Sequence, residues 1–392
     1  MQPFFPLLLV SMHPLRYLFF GMNGSNTASG KFRGQAVYMF AFDIAYEMSN
    51  APIRELLGQK VEQFKVDPSK RNPRHPFFYR PQMIRLPLVK GMGPLGPVEL
   101  ERVIKVLPIG AISITVTVPF EVDRLEDLVT FHDLHLAERS LHAEVRELAE
   151  RIYVELRPFL IRPQEYLAEE EAYTVFCLES SCVLPAPEVR AEDWLHAHRR
   201  EVAGLLTQET DCYELSEQEA TESTSRYISY YQNDLVVIDW DAALVIDQPE
   251  DFAEVLYVME LANLHLAELE AYDRLLDRAL ERSYRDLRSR TYRKRDMILF
   301  LREIRVDLAR FGDELSNITK FVGDWHLARV HDAIASRFHL SEWHRLVDEK
   351  VRTLDHLYQL LQHDQSNRWM LILESTIVLL FIIDLILIFM LK

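Results

Sequence analysis

Hydrophobic and polar positions alternate in short stretches of the first 250 residues, a pattern typical of half-buried β-strands. The clearest example is GAISITVTVPF, in which Ile112, Ile114, Val116 and Val118 fall on one face. Three further stretches are rich in β-branched and aromatic residues, which favour strands. We therefore predict strands over residues 36–48, 98–119 (one strand or a pair), 172–180 and 233–247.

Helical patterns separate these strands. Helices are predicted near Ile53 to Phe64, over residues 121–159 and over residues 192–206, and a basic, proline-rich loop is predicted over 66–97. Strands that alternate with helices indicate an α+β domain. It spans residues 31–248, either as one domain or as two lobes that break near 160–190, and it follows an N-terminal arm, residues 1–30.

The second half of the chain has helical periodicity almost throughout. Apolar residues recur at spacings of three and four over residues 252–280, 297–322 and 347–361. Such seams are typical of paired helices, and Asp273 interrupts the first one as polar register residues do in coiled coils. The prediction for residues 249–368 is an antiparallel, coiled-coil-like helical region.

The chain ends in an apolar run, WMLILESTIVLLFIIDLILIFML, residues 369–391. As a helix it is roughly 34 Å long, enough to cross a hydrocarbon core of about 30 Å. Arg368, Trp369 and Lys392 are placed as interface anchors. The run predicts one C-terminal transmembrane helix, and hence a tail-anchored, single-pass protein of the cytoplasmic (inner) membrane.

Two carboxylates, Glu374 and Asp384, interrupt the apolar run. A central intramembrane carboxylate costs about 2.5 to 3.5 kcal/mol, so it indicates a role in function or assembly. One interpretation is an acidic ring that lines an ion path in an oligomer. The other is a protonated Asp384 that hydrogen-bonds to a neighbouring helix or holds copies together.

A basic cluster, RSRTYRKR, lies between the first two helical seams. In an up-and-down bundle this cluster would lie at the bilayer surface, where Lys and Arg are attracted to anionic headgroups. The alternatives are a solvated helix turn and an RNA-facing patch. The soluble part is then expected on the cytoplasmic side, or on the matrix side of a mitochondrial inner membrane. The residues of this patch are Arg288, Arg290, Arg293, Lys294 and Arg295.

Composition and motifs exclude several classes of function. The net charge of −16 argues against a dedicated nucleic-acid binder. The three cysteines lack the spacing of a zinc site, and His132, His135 and His142 are expected on the surface. No phosphate-binding loop or nucleophile motif is present. We therefore predict no catalytic residue, no metal site and no cofactor, and a protein that is not an enzyme.

The phrases FVGDWHLARVHDAIASRFHL and NRWMLILESTIVLLFIID, within residues 321–391, resemble the "required for meiotic nuclear division" (Rmd/YagE-like) family, with VYMFAFDIAY a fainter match. The resemblance implies a membrane-anchored, non-enzymatic protein; eukaryotic members of that family support mitochondrial translation. No site residue is carried over. A coarser similarity in architecture links the chain to CorA-type magnesium channels.

The leading functional hypothesis is an oligomeric scaffold or tether with a cytoplasmic-side recognition domain. Its expected partners are the lipid bilayer, further copies of the chain and a protein partner of the soluble domain, with nucleic acid or the ribosome less favoured. The alternative is an ion-conducting or ion-sensing assembly that uses Glu374 and Asp384.

Overall fold

The computed structural model describes residues 31–49, 51–63, 81–136, 139–184, 188–289, 302, 306 and 325–390. Within its helices, the side chains of 282, 286–289, 358, 360–369, 384–385 and 388–390 are outside the described part. The predicted N-terminal arm and the second helical seam therefore lie outside the described residues.

The strands of the described part are short except around the centre of the main sheet. Their bounds are β1 Phe32–Asp43, β2 Ala45–Met48, β3 Glu55–Leu56, β4 Gln59–Lys60, β5 Glu62–Gln63, β6 Gln82–Gly93, β7 Gly96–Val106, β8 Ala111–Val122, β9 His135–Leu136, β10 Arg139–Ser140, β11 Leu160–Pro163, β12 Glu171–Glu179, β13 Tyr227–Ile228, β14 Leu235–Ile238 and β15 Ala242–Asp247.

Three long helices and several short ones accompany them. The α-helices are α1 Leu141–Leu156, α2 Ser180–Val183, α3 Ala191–Ala197, α4 Arg199–Leu206, α5 Glu217–Ser223, α6 Phe252–Ser289, α7 Trp325–Arg337 and α8 Leu340–Met390; 3₁₀ turns cover Leu125–Phe131 and Arg157–Phe159.

Nine of the described strands form one sheet in the order β13-β14-β15-β12-β1-β8-β7-β6-β5. Neighbours are antiparallel except for β12 and β15, which run parallel. The two-lobe alternative placed a break near residues 160–190. The main sheet contains strands that precede this segment, such as β1 and β8, and strands that follow it, such as β14 and β15. The expected α+β class is confirmed at this level.

Helices cover both faces of the sheet because its central strand is apolar on both sides. Along β1, Tyr38 and Phe40 face a core that includes α1, α3 and α4. The intervening Val37 and Met39 face a second core, formed with α6, α7 and α8. Side chains of successive strand residues point to opposite faces, so this alternation gives a three-layer arrangement of helices, sheet and helices.

The first and third predicted seams meet in the structure. Leu269 and Leu276 of α6 share a buried cluster with Val347 and Leu354 of α8. The contacts of α6 residues 265 and 273 with α8 residues 344 and 350 show that the two helices run in the same direction. In an up-and-down bundle the first and third helices run in the same direction. The helix predicted between them lies outside the described residues, so the antiparallel pairing stays a prediction.

The helix predicted near Ile53 to Phe64 is wrong. This segment forms the hairpin β3–β4 because Leu57 and Gly58 both adopt positive φ, 50° and 70°. Such a turn ends a helix but suits a tight hairpin.

The helix predicted over 121–159 begins only at Leu141. There the Ser140 hydroxyl accepts the Ala143 N–H at 3.2 Å as an N-cap. The residues before it belong to β8, a 3₁₀ turn and the β9–β10 pair.

The basic segment predicted as a loop over 66–97 contains strand β6. This strand pairs with β7, and its register shifts between Leu86 and Val89. Pro87 lies at this shift, where a residue without an N–H does not interrupt the ladder. Proline in the sequence therefore indicated a bulge and not a loop.

Helix α8 contains the stretch predicted to cross a membrane. Among the residues that the structure describes, no helix has the length and apolar character that a membrane span needs. Glu374 places a carboxyl group within this stretch, which opposes its burial in hydrocarbon. The predicted transmembrane helix over 369–391 is corrected accordingly, and with it the tail-anchored, single-pass placement in a membrane.

Candidate functional site

Helix α6 places a polar stripe against the sheet. Glu260, Asn263, Glu270 and Arg274 follow helical spacings of three and four, so they share one face with Ala267, which is buried. The helix starts at Phe252 and contains no proline or glycine over its 38 residues. The sequence therefore supports an unbroken helix that carries charged groups under the sheet.

The first part of the stripe is a buried ion pair. Glu260 accepts from the Lys105 ammonium of β7 and, at 2.5 Å, from the Ser113 hydroxyl of β8. Lys105 also lies 5.4 Å from the centre of the Tyr257 ring. Burying two charges is costly unless they are paired and hydrogen-bonded, and here both conditions are met. This pair fixes the position of α6 on the sheet.

Asn263 continues the stripe one turn further. Its side-chain amide donates to the Glu171 carbonyl of β12 at 3.0 Å and to the Met39 carbonyl of β1 at 3.4 Å. A buried amide that finds two carbonyl acceptors specifies one position of the helix relative to these strands.

The end of the stripe meets two acidic residues at the point where strand β1 ends and strand β12 begins. We call Asp43, Glu171 and Glu270 the carboxyl cluster. Asp43 ends β1 and accepts from the Gln164 amide at 2.8 Å. Glu171 begins β12 and is hydrogen-bonded to Glu270. The positive charge of Arg274 is close enough to act against a raised pKa at both Asp43 and Glu171.

Burial changes the protonation of this cluster. It raises the pKa of Asp43 to about 7, although Gln164 and Arg274 oppose the rise. Burial, together with the hydrogen bond and the negative charge of Glu270, raises the pKa of Glu171 to about 8. Glu171 is therefore largely protonated at neutral pH, and its carboxyl proton is available for the hydrogen bond to Glu270. Perturbed carboxyls of this kind are frequent at functional sites, and they also occur where a helix is fixed to a sheet.

Three histidines lie between the helices on the other side of α6. His265 Nε2 of α6 and His344 Nε2 of α8 are 3.1 Å apart. His331 of α7 is near enough to lower the pKa of His265 further. Burial is the main cause of the lowered pKa at all three residues, and at His265 the pKa lies well below its ordinary value. These imidazoles are therefore neutral under physiological conditions.

Among the described residues, no group of three or more His, Cys, Asp or Glu side chains converges in a way that could hold a metal ion. The His265–His344 contact is a hydrogen bond between two neutral rings, in which one ring donates and the other accepts.

The site residues predicted from the sequence do not come together with these groups. Glu374 is an exposed residue of α8, and the side chain of Asp384 lies outside the described part. The side chains of the anchors Arg368 and Trp369 and of Arg288 also lie outside the described part. Lys392 and the remaining residues of the basic patch are outside the described residues altogether: Arg290, Arg293, Lys294 and Arg295.

The three histidines singled out in the sequence are separate in the structure. His132 Nε2 lies 2.6 Å from the Leu205 carbonyl, and burial lowers its pKa. His135 is exposed, and His142 Nδ1 lies 3.4 Å from Glu170. The surface expectation therefore fails for His132, which helps to join the first 3₁₀ turn to α4.

Asp273, the polar residue of the first seam, has a partner on α8. The Lys350 ammonium lies 2.6 Å from carboxylate oxygens of both Asp273 and Asp277. This contact is the kind of polar pairing that fixes the register of two helices.

Sequence reasoning did not find Glu260, Glu270, His265 or His344 as members of buried groups. Charged residues at helical spacing are usually solvated, and a strand with both faces covered was needed to bury them.

Sequence comparison points to one family. The chain matches the family defined by the N-terminal domain of the uncharacterised protein MJ0711 over residues 33–253. It is 25% identical to protein MJ0711 of Methanocaldococcus jannaschii over 250 residues, which is 62% of this chain and 73% of that protein. No solved structure matches the chain.

The match corrects the resemblance drawn from the C-terminal third. The Rmd/YagE-like prediction rested on residues 321–391, whereas the matched region ends at 253, where α6 has just begun. Short apolar and aromatic phrases in helices recur in unrelated proteins, so they indicated the wrong family. By the match over its nine-stranded sheet, this chain belongs to the family of the MJ0711 N-terminal domain.

Proposed function

We propose that the chain is a non-enzymatic scaffold that assembles with copies of itself through α8, while the α/β body presents a recognition surface to a protein partner. The supporting observation is the exposed apolar surface of α8. Every large apolar side chain from Met370 to Ile383 is 45% to 72% exposed in the described structure. Exposed runs of this size are typical of interaction surfaces.

The distribution of these side chains determines what could cover them. The seven residues from Ile377 to Ile383 are all apolar, and with about 3.6 residues per turn they point in every direction around the helix. One neighbouring helix covers one face only, so full cover needs several helices. Copies of α8 from symmetric neighbours supply them without a second protein.

The non-enzymatic part of the proposal rests on the sequence, which contains no nucleophile motif and no phosphate-binding loop. The ion-conducting alternative required carboxylates inside a membrane span, and it is not carried further.

The test is the molar mass of the full-length protein by size-exclusion chromatography with light scattering. We expect an oligomer in the micromolar range that dissociates when one face of α8 becomes charged. The variant is Leu373→Lys, Ile377→Lys and Leu380→Lys, at positions 64%, 50% and 60% exposed.

A matched control adds the same three charges at exposed polar positions nearer the start of α8: Thr353→Lys, His356→Lys and Gln359→Lys. It should keep the oligomer. A monomeric wild type would contradict the proposal, and so would a control that dissociates as completely as the test variant, since charge alone would then explain the result.

A further inference from the structure

A cleft lies between α1 and the strands at the β6 side of the sheet. Its volume is about 670 Å³, within the range of small-molecule sites of roughly 300 to 1,000 Å³. Leu86 and Arg102 line it from paired positions of β6 and β7, and Leu57 of the β3–β4 turn also lines it. Helix α1 contributes four charged residues and one apolar residue: Glu147, Glu150, Arg151, Val154 and Glu155.

The carboxylates of this cleft are engaged with other groups. Glu147 pairs with Arg139 at 2.8 Å, and Glu150 lies 3.9 Å from Arg146. Glu155 accepts the Leu57 N–H at 2.8 Å. Their negative charge is thus partly offset by donors at the margin of the cleft.

The two arginines of the cleft have fewer hydrogen-bond and ion-pair partners than its carboxylates have. Arg102 donates through Nη2 to the Pro87 carbonyl at 3.4 Å, while its buried Nε has no hydrogen-bond acceptor in the described structure. Arg151 is exposed and has no carboxylate within 4.0 Å among the described residues. A guanidinium provides five N–H donors, so most of the donor capacity of this cleft is unused.

The two guanidinium groups also repel each other. Burial lowers the pKa of Arg102, and the charge of Arg151 lowers it further, although Glu144 opposes both effects. The arrangement resembles what phosphate and carboxylate groups need: two forked donors that can bind one group from two sides. Leu57, Leu86 and Val154 add an apolar wall beside these donors.

We infer that this cleft binds a small molecule that carries an oxyanion, a phosphate or a carboxylate, on an apolar group. Arg102 and Arg151 hold the oxyanion, and the apolar group lies on Leu57, Leu86 and Val154. The inference does not depend on the proposed oligomer, because α1 lies on the opposite face of the sheet from α6 and α8.

The test is titration calorimetry of the full-length protein with phenyl phosphate, benzoate and inorganic phosphate. Binding of phenyl phosphate or benzoate supports the inference, and the tighter of the two identifies the oxyanion. Inorganic phosphate should bind at least fivefold more weakly than phenyl phosphate, because it makes no apolar contact. Equal affinity for these two ligands would overturn the role of the apolar wall, and no binding of any of them would overturn the site.

Charge variants separate this site from general attraction. Arg102→Gln and Arg151→Gln should each weaken binding at least tenfold, since a hydrogen bond to a charged group is lost. Glu147→Gln should strengthen it, because a nearby negative charge disappears. Arg157→Gln changes the net charge equally at an exposed residue beyond the cleft, and it should leave affinity unchanged. If the affinity of Arg157→Gln falls as far as that of Arg151→Gln, the assignment is wrong.

Discussion

The raised pKa of Glu171 predicts a specific pH dependence of stability. The pKa of Glu171 is raised from an ordinary 4.5 to about 8 in the folded chain. Between these two values the folded chain retains a proton that the unfolded chain releases. Linkage then requires that this contribution to stability is complete below about pH 4.5 and is lost as the pH rises toward 8.

The size of the effect follows from the pH range between the pKa of Glu171 in the unfolded chain and its pKa in the folded chain. One fully linked proton changes the unfolding free energy by about 1.4 kcal/mol per pH unit. Glu171 is half-buried, so solvent screening reduces the pH range over which this proton is linked to about half of its full width. Over the three units from pH 5 to pH 8 we expect Glu171 to contribute a loss of about 2 kcal/mol.

The substitution Glu171→Gln isolates this contribution. The glutamine amide can donate to the Glu270 carboxylate without a titrating proton. Measured by urea unfolding with tryptophan fluorescence, the variant should match the wild type at pH 5 and exceed it by about 2 kcal/mol at pH 8. The control Glu169→Gln alters an exposed carboxylate two residues away and should show no such divergence. A variant-minus-wild-type difference that stays constant from pH 5 to pH 8, or that grows toward acid, would refute the raised pKa of Glu171.

Two further predictions concern the other buried groups along α6. Lys105→Met leaves Glu260 as an uncompensated buried charge and should cost about 3 to 5 kcal/mol of unfolding free energy. Adding Glu260→Leu should recover most of this loss in a double-mutant cycle. A loss that persists in the double variant would contradict this account. The lowered pKa values of His265, His331 and His344 reduce stability in the acid range, because the unfolded chain binds protons below about pH 6.5 that the folded chain does not. Stability should therefore fall as the pH decreases from 6.5 to 5, and His331→Leu should flatten that decrease in the same assay; an unchanged slope would mean that the buried imidazole is not the cause.

Local patterns in the sequence predicted the parts of the fold that depend on neighbouring residues. The alternation from Ile112 to Val118 marked β8 because one face of that strand is fully buried. The helical seams marked α6 and α8, and Asp273 marked their polar contact with Lys350.

Contacts between distant residues could not be predicted in this way. Glu171 and Glu270 are 99 positions apart, and neither lies in a motif that indicates the other. Their hydrogen bond depends on the register of β12 against β1 and on the position of α6 over both strands. The same reason explains Lys105 and Glu260, which are joined across 155 positions.

The boundary of the family match bears on how the two halves of this chain depend on each other. The match ends at residue 253, yet in the described part of the chain the sheet face opposite α1 is covered by helices whose length lies almost wholly beyond that residue. Without α6, Val37, Met39 and Val245 would be exposed, and Lys105 would lose the carboxylate that compensates its charge. The helical half is therefore part of the folding unit and not an appended arm. Because α8 is fixed to that unit through α6, assembly through α8 would hold several α/β bodies in a defined orientation, as a scaffold requires.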